Sequence, residues 1–315
     1  ATLNASTGFI IQGDAFDSLG VSVSSAGDVN GDGFDDLIIG AYHGSDGGSQ
    51  AGEAYVIFGS DAGFGVDVAG RQVIDIASLN AATGFIIQGD AASDTLGVSV
   101  SSAGDINGDG YDDLIVGAYG GDDGGSDASE AYVIYGSASG FGVEVSGRQV
   151  IDLTSLGAST GFIIQGGEAG DLLGVSVSSA GDINGDGLDD LIVGARSSDG
   201  AGSDSGEAYV IYGTVSGFGV DVAGRQVIDI STLDASTGFV IRADESGDRL
   251  GVSVSSAGDV NGDGFDDLIV GAQFGDDGGL RAGEAYVIFG SATGSTTGLV
   301  ANGTAGANNI LGSAG

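Results

Sequence analysis

The sequence predicts an all-β fold, a β-propeller of four-stranded antiparallel blades. Three observations lead there: a unit that recurs four times at one period, short strand-like runs inside each unit, and no helix-length amphipathic stretch. The period is plain in "AGDVNGDGFDDLIIGA" at 26–41, which returns as "AGDINGDGYDDLIVGA", "AGDINGDGLDDLIVGA" and "AGDVNGDGFDDLIVGA". Their first aspartates, Asp28, Asp105, Asp182 and Asp259, stand 77 residues apart at each step.

Each strand of a unit has its own signature. "GFIIQG" (84–89) is a compact apolar run. "GVSVSSAG" (97–104) alternates valine with serine, the period of two that buries one face of a strand. "DLIVGA" (113–118) is apolar on successive residues, as in a strand covered on both sides. "EAYVIYG" (130–136) mixes aromatic and β-branched residues, which suit a pleated surface. The connection "FGVEVSGRQVIDLTSL" has room for a further strand.

The propeller is expected over 1–290, in units of about 8–84, 85–161, 162–238 and 239–290, with an extra strand at 8–13. The last unit has no "GFIIQG" after its "EAYVIFG", and the chain begins with a spare one. Pairing the two would close a four-bladed ring and remove an open sheet edge. The alternative is an arc of a larger ring. Residues 291–315 read as a glycine-rich tail or linker. "GTAGANNILGSAG" within it is weakly similar to glycine-rich nonapeptide calcium repeats, but Asn308 and Asn309 stand where those carry aspartates.

Composition narrows the function. The 315 residues carry 45 acidic and 7 basic side chains, a formal net charge of −38, and every basic residue is an arginine. Such a surface repels nucleic acid and anionic lipid and attracts cations. Cysteine is absent, so disulfides and thiolate sites are excluded. No apolar run reaches the roughly 18 residues of a membrane span. "ATLNASTGFI" has neither a basic start nor a cleavage pattern, so for a secreted protein either a leader has been removed or the export signal lies outside this chain.

The acidic turn is the strongest chemical signal. Counting Asp28 as position 1, oxygen-bearing side chains stand at positions 1, 3, 5 and 9, and position 7 offers its carbonyl oxygen. The four expected ligand sets are Asp28, Asn30, Asp32, Phe34 and Asp36; Asp105, Asn107, Asp109, Tyr111 and Asp113; Asp182, Asn184, Asp186, Leu188 and Asp190; and Asp259, Asn261, Asp263, Phe265 and Asp267. Three carboxylates, an amide oxygen and a main-chain oxygen suit a hard cation that takes six to eight oxygens. Two carboxylates about 4 Å apart repel by roughly 1 kcal/mol even in bulk water, and a divalent ion reverses that sign. Calcium fits better than magnesium, which demands near-ideal octahedral geometry, and with neither histidine nor cysteine in the turn zinc and copper are disfavoured. Four Ca2+ sites are therefore expected, one per unit. An EF-hand is excluded, because its position-12 glutamate is replaced by Ile39, Val116, Val193 and Val270 and a strand follows in place of a helix. Asp35, Asp112, Asp189 and Asp266, at position 8, are expected to face solvent or cap the turn.

"LGVSVSSAGDVNGDGFDDLIIGA" followed by "GEAYVIFG" resembles the FG-GAP repeat, the unit of the integrin α-chain propeller and of many large secreted bacterial proteins. The resemblance spans roughly 8–290. It departs at "LG" for the opening "FG", and at "GAY", "GAR" and "GAQ" for "GAP". It implies an inner strand "VSVSSAGD", then "DLIIGA", "EAYVIFG" and an outermost "GFIIQG", with partners bound on the face opposite the calcium loops. The family's propellers have seven blades, where four units stand here.

The segments before each "EAYVI" vary at constant length: "YHGSDGGSQAG", "YGGDDGGSDAS", "RSSDGAGSDSG" and "QFGDDGGLRAG". Variable loops on a constant scaffold suit a recognition face for another protein or a cell-surface glycan. His43 has no expected catalytic role, and Arg71, Arg148 and Arg225 are expected to satisfy acidic groups or carbonyls between blades. No nucleophile and base stand in a catalytic pattern, so no enzyme is expected. The reading is a non-catalytic, calcium-stabilised adhesion or recognition module, extracellular or on a cell surface, without nucleic-acid binding or membrane insertion. A self-assembling subunit of a surface layer or filament is the alternative.

Overall fold

The computed structural model describes residues 3–122, 129–292, 299–301 and 311–312. Before the first acidic turn come β1 (Ile10–Gln12) and β2 (Val23–Gly27), and then β3 (Asp36–Ala41), β4 (Glu53–Ile57), β5 (Val66–Val68), β6 (Arg71–Asp75) and β7 (Gly84–Gln88). The second unit gives β8 (Ser99–Gly104), β9 (Asp113–Ala118), β10 (Glu130–Ile134), β11 (Val143–Val145), β12 (Arg148–Asp152) and β13 (Gly161–Gln165). The third gives β14 (Leu173–Gly181), β15 (Asp190–Ala195), β16 (Glu207–Ile211), β17 (Val220–Val222), β18 (Arg225–Asp229) and β19 (Gly238–Ala243). The fourth gives β20 (Leu250–Gly258), β21 (Asp267–Ala272) and β22 (Glu284–Ile288), with β23 (Leu299–Ala301) and β24 (Leu311–Gly312) beyond it.

The antiparallel order within a blade is the one expected: β2-β3-β4-β7, β8-β9-β10-β13 and β14-β15-β16-β19. The inner strands β2, β8, β14 and β20 lie side by side. The apolar second strands of the two middle blades are covered throughout, every residue of β9 and β15 being buried. The long connection holds more than the single extra strand for which the sequence left room. Its two strands form a hairpin that crosses to the preceding blade, so that β12 runs parallel to β7 with Val150 opposite Ile86, and β18 runs parallel to β13. Stacked rings fasten each hairpin, Phe85 on Phe141 at 4.1 Å and Phe162 on Phe218 at 4.3 Å between centroids.

The cores lie between blades. Val29, Ile38, Val56 and Phe85 of the first blade pack with Val100, Leu114 and Tyr132 of the second. Backbones approach closely there: a β-carbon on Gly40 would stand 1.9 Å from the Gly97 carbonyl oxygen, so only glycine fits.

The expected pairing of the N-terminal strand with the last blade is not found. Among the described residues, β22 pairs with β21 alone, and β1 pairs in parallel with β6. The crossing hairpin holds β1 by one edge, as β12 holds one edge of β7, and the other edge of β1 stays open among the described residues. Ile10 stands opposite Val73 as Ile86 stands opposite Val150, and Phe9 stacks on Phe64 at 4.4 Å, so β1 is held as the outer strand of a position preceding the first blade. The tail is not wholly a linker: its β23 adds in parallel to β19, in the place a hairpin strand takes elsewhere. Asn308 and Asn309 lie outside the described residues.

Candidate functional site

Each acidic turn joins an inner strand to the second strand of its blade. The inner strand ends in a bulge, between Ser25 and Gly27 in the first blade, and Gly27 takes a left-handed φ of 71° that turns the chain into the loop. The following aspartates then wind the backbone around their own oxygens. Asp28 Oδ1 accepts from the Asp32 N–H at 3.0 Å and Oδ2 from the Gly33 N–H at 2.8 Å. Asn30 Oδ1 accepts from the Asp32 N–H at 2.8 Å, and Asp32 Oδ1 from the Phe34 N–H at 3.0 Å. The same bonds recur from Asp105, Asn107 and Asp109, from Asp182, Asn184 and Asp186, and from Asp259, Asn261 and Asp263.

Position 9 is different in kind. Asp36, Asp113, Asp190 and Asp267 are completely buried. Asp36 accepts from the Val29 N–H at 3.2 Å and the Gly59 N–H at 2.7 Å, which fastens the loop to the end of the third strand. Asp113, Asp190 and Asp267 do the same with Gly136, Gly213 and Gly290. Burial, reinforced by the position-5 and position-1 carboxylates, pushes Asp36 up to about 6 and Asp113 and Asp190 up to about 8, against their backbone bonds.

The four turns therefore bring positions 1, 3, 5 and 9 into one loop each. Among the described residues, no three carboxylates or imidazoles converge as a finished metal cage. The donor set nevertheless fits a hard cation. Oδ2 of position 1, Oδ1 of position 5 and both oxygens of position 9 each accept a single backbone bond, as in Asp105, Asp109 and Asp113, and keep a further lone pair, and no arginine is paired with any of these aspartates among the described ion pairs. A buried carboxylate flanked by two others, without a cationic partner, is the arrangement a divalent ion relieves.

Two positions do work that the sequence did not reveal. Position 8 is a cap between blades: Asp112 Oδ2 accepts from the Asp28 N–H, Asp189 from Asp105 and Asp266 from Asp182, at 2.7–3.0 Å. The side chain at position 7 is an interblade plug, Tyr111 lying over Gly31 and Phe265 over Gly185. The spacing of 84 residues between bonded partners was readable, but not which loops meet in space.

A second acidic set lies at the other end of the strands, beside the variable loops. Glu53, Glu130 and Glu207 open their strands fully or almost fully buried, and each accepts a hydrogen bond from the hydroxyl of a tyrosine two residues on: Tyr55, Tyr132 or Tyr209. Asp94, Asp171 and Asp248, just ahead of "LG" in their units, are buried near them. Arg148 pairs with Asp46 at 2.6 Å and Arg225 with Asp90 at 2.8 Å, bridging units as expected. His43 Nδ1 meets Ser18 Oγ at 3.0 Å at the surface. A cleft of about 600 Å3, lined by Glu168, Asp171, Asp199, Glu207 and Arg242, opens on this face.

Strand order, blade period and acidic turn together define a class, the blade-forming β repeats of propeller proteins. A profile described as FG-GAP repeat matches residues 19–57, 96–134, 173–211 and 250–288, and the chain belongs to that family. The family is one of integrin-like recognition and adhesion modules. No curated protein matches the chain. Among the described residues, no helix is long and apolar enough to cross a membrane.

Proposed function

We propose that the chain is a calcium-stabilised, non-catalytic adhesion or protein-recognition module that works outside the cell. The observation that carries the calcium reading is the completely buried position-9 aspartate, repeated four times beside the carboxylates of positions 1 and 5. In this reading the side-chain oxygens of Asp28, Asn30, Asp32 and Asp36 hold one ion together with the Phe34 carbonyl. The corresponding residues of the other three turns hold one each. The ion supplies positive charge, and the chain supplies a wound backbone that keeps its oxygens together.

Recognition falls to the opposite end of the blades, where loops of constant length and changing sequence stand on rigid strands. The cleft beside Glu207 and Asp171 is rich in carboxylates, so it favours a partner surface carrying basic groups. An extracellular setting agrees with weak calcium modules, whose constants lie near 10⁻⁴ to 10⁻³ M.

The test is a thermal melt of the full chain in millimolar calcium, in magnesium and in excess chelator. Calcium is expected to raise Tm well above the other two. Identical melting in all three conditions would refute the calcium reading.

A further inference from the structure

The two ends of the blade row are halves of an interface that the chain already makes three times. At each internal boundary one face of a blade is covered by the next. Ile38, Ile115 and Ile192 are fully buried there, as are Val56, Val133 and Val210. On the last blade the matching residues are open, Ile269 at 39% and Val287 at 38% exposure. Val260 is 57% exposed where Val29 and Ile106 are sealed. At the other end, Val23 of the first blade is 67% exposed, whereas Val100, Val177 and Val254 are buried by their neighbours.

The polar contacts are missing in step. A β-carbon on Gly27, Gly104 or Gly181 would collide with the position-8 aspartate of the next blade, yet among the described residues nothing stands near Gly258. The position-8 aspartate without a preceding blade to cap is Asp35, which is exposed. The sheets are complementary too. The last blade has three strands, β20-β21-β22, with an open outer edge, and β1-β6-β5 is a three-stranded outer rim without inner strands. β1 carries the "GFIIQ" sequence that pairs with "EAYVI" in the first blade, Glu53 opposite Gln88 and Ile57 opposite Gly84.

We infer that copies of this chain join head to tail, the β1-β6-β5 rim of one copy completing the three-stranded last blade of another. In the internal register, Glu284 then faces Gln12 and Ile288 faces Gly8 of the second copy. Asp35 of that copy caps the Asp259 N–H, and Phe34 covers Gly262, where a β-carbon would meet nothing within 4 Å among the described residues. Arg71, exposed and without an ion pair among those described, meets Asp277, the counterpart of the Asp46 that holds Arg148. Such a contact joins two different surfaces, so it generates an open fibre or a closed ring of copies according to the rotation at each step. Backbone pairing at a free edge supplies the adhesion, and the repeated side chains fix the register. The inference does not depend on calcium occupancy.

The decisive experiment is sedimentation velocity of the full 315-residue chain over a concentration series, with two kinds of variant. The wild-type sedimentation coefficient is expected to rise with concentration. Gly271→Val is the blocking variant. A β-carbon at Gly271 finds its nearest neighbour at 3.7 Å, whereas at Gly40, Gly117 and Gly194 it would stand 1.9–2.0 Å from the facing carbonyl oxygen. Gly271→Val should therefore keep the melting curve of the isolated chain and weaken association at least tenfold. Asp277→Arg should weaken it several-fold, and combining Asp277→Arg with Arg71→Asp should restore it. A chain that stays monomeric at every concentration, as a ring closed within one molecule would, overturns the inference. Association that Gly271→Val leaves unchanged also overturns it, since the contact then lies elsewhere.

Discussion

Asp112 Oδ2 accepts a hydrogen bond from the Asp28 N–H at 2.7 Å, across the boundary between the first and second blades. The acidic turn is thus part of the joint between blades as well as a candidate metal loop. Its neighbour in sequence, Asp113, turns inward and ties the loop to its own blade at Gly136. Two adjacent aspartates divide the tasks of holding one blade together and holding two blades to each other.

The first prediction follows from that joint. Asp112→Ala leaves the Asp28 N–H without its acceptor and should cost about 1–2 kcal/mol in chemical denaturation. Asp35→Ala, at the same position of the first unit, has no preceding blade to cap within its chain. In dilute solution it should change stability by less than about 0.5 kcal/mol. Equal losses for the two variants would contradict the interblade role.

The second concerns the calcium increment. At free calcium ten times the dissociation constant, each site adds about 1.4 kcal/mol, so four add roughly 5–6 kcal/mol. Asp109→Ala removes an exposed oxygen from one turn and should delete about a quarter of that increment, while the calcium-free chain loses only the exposed bond from the Tyr111 N–H, about 0.5 kcal/mol. Asp113→Ala should lower stability in both conditions, because the Ile106 and Gly136 N–H groups lose their buried acceptor. Paired melts with and without calcium separate the two outcomes.

Much of this was legible in the sequence. The alternation in "GVSVSSAG" and the apolar "DLIVGA" identify an inner strand and a doubly covered one, because burial leaves a direct mark on residue type. The oxygen spacing of the acidic turn is local and equally readable. What could not be read depends on contacts far apart in the chain. "GRQVID" crosses to pair in parallel with the previous blade's outer strand, and the same crossing gives β1 its partner β6. Position 8 read as facing solvent or capping its own turn because its acceptor role needs an N–H that lies 84 residues away. The buried glutamate of "EAYVI" was hidden for another reason: a charged residue opening a strand reads as exposed unless its tyrosine partner is seen above it.

The crossing hairpin supplies the third prediction. Phe141 stacks on Phe85 at 4.1 Å and is nearly buried, so Phe141→Ala should cost about 3 kcal/mol or more. Phe64 makes the same stack on Phe9 at the uncovered end, where it is only half-buried. Phe64→Ala should cost less than half as much in the dilute chain. Denaturant midpoints at constant m give both numbers.

The last prediction is a pH dependence carried by the buried aspartates on the variable-loop face. Burial, with the Asp90 carboxylate beside it, pushes Asp94 up to about 8; burial, with Glu168, pushes Asp171 up to about 6. Both stand above the ordinary value of 3.8, so the folded chain holds these protons longer than the unfolded chain does. By linkage, their contribution is fully present below pH 3.8 and is lost as pH rises, through about 6 for Asp171 and about 8 for Asp94. In calcium-free buffer, melting temperature should therefore increase as the pH is lowered from about 8 toward 5. Asp94→Asn stays neutral throughout and should flatten the upper part of that slope. Calcium binding needs ionised carboxylates, so the calcium increment should shrink over the same range. A gap between the calcium and calcium-free curves that closes as the pH falls is the expected signature. A calcium-free Tm that falls steadily from pH 8 to 5 would show that Asp94 and Asp171 ionise freely in the folded chain.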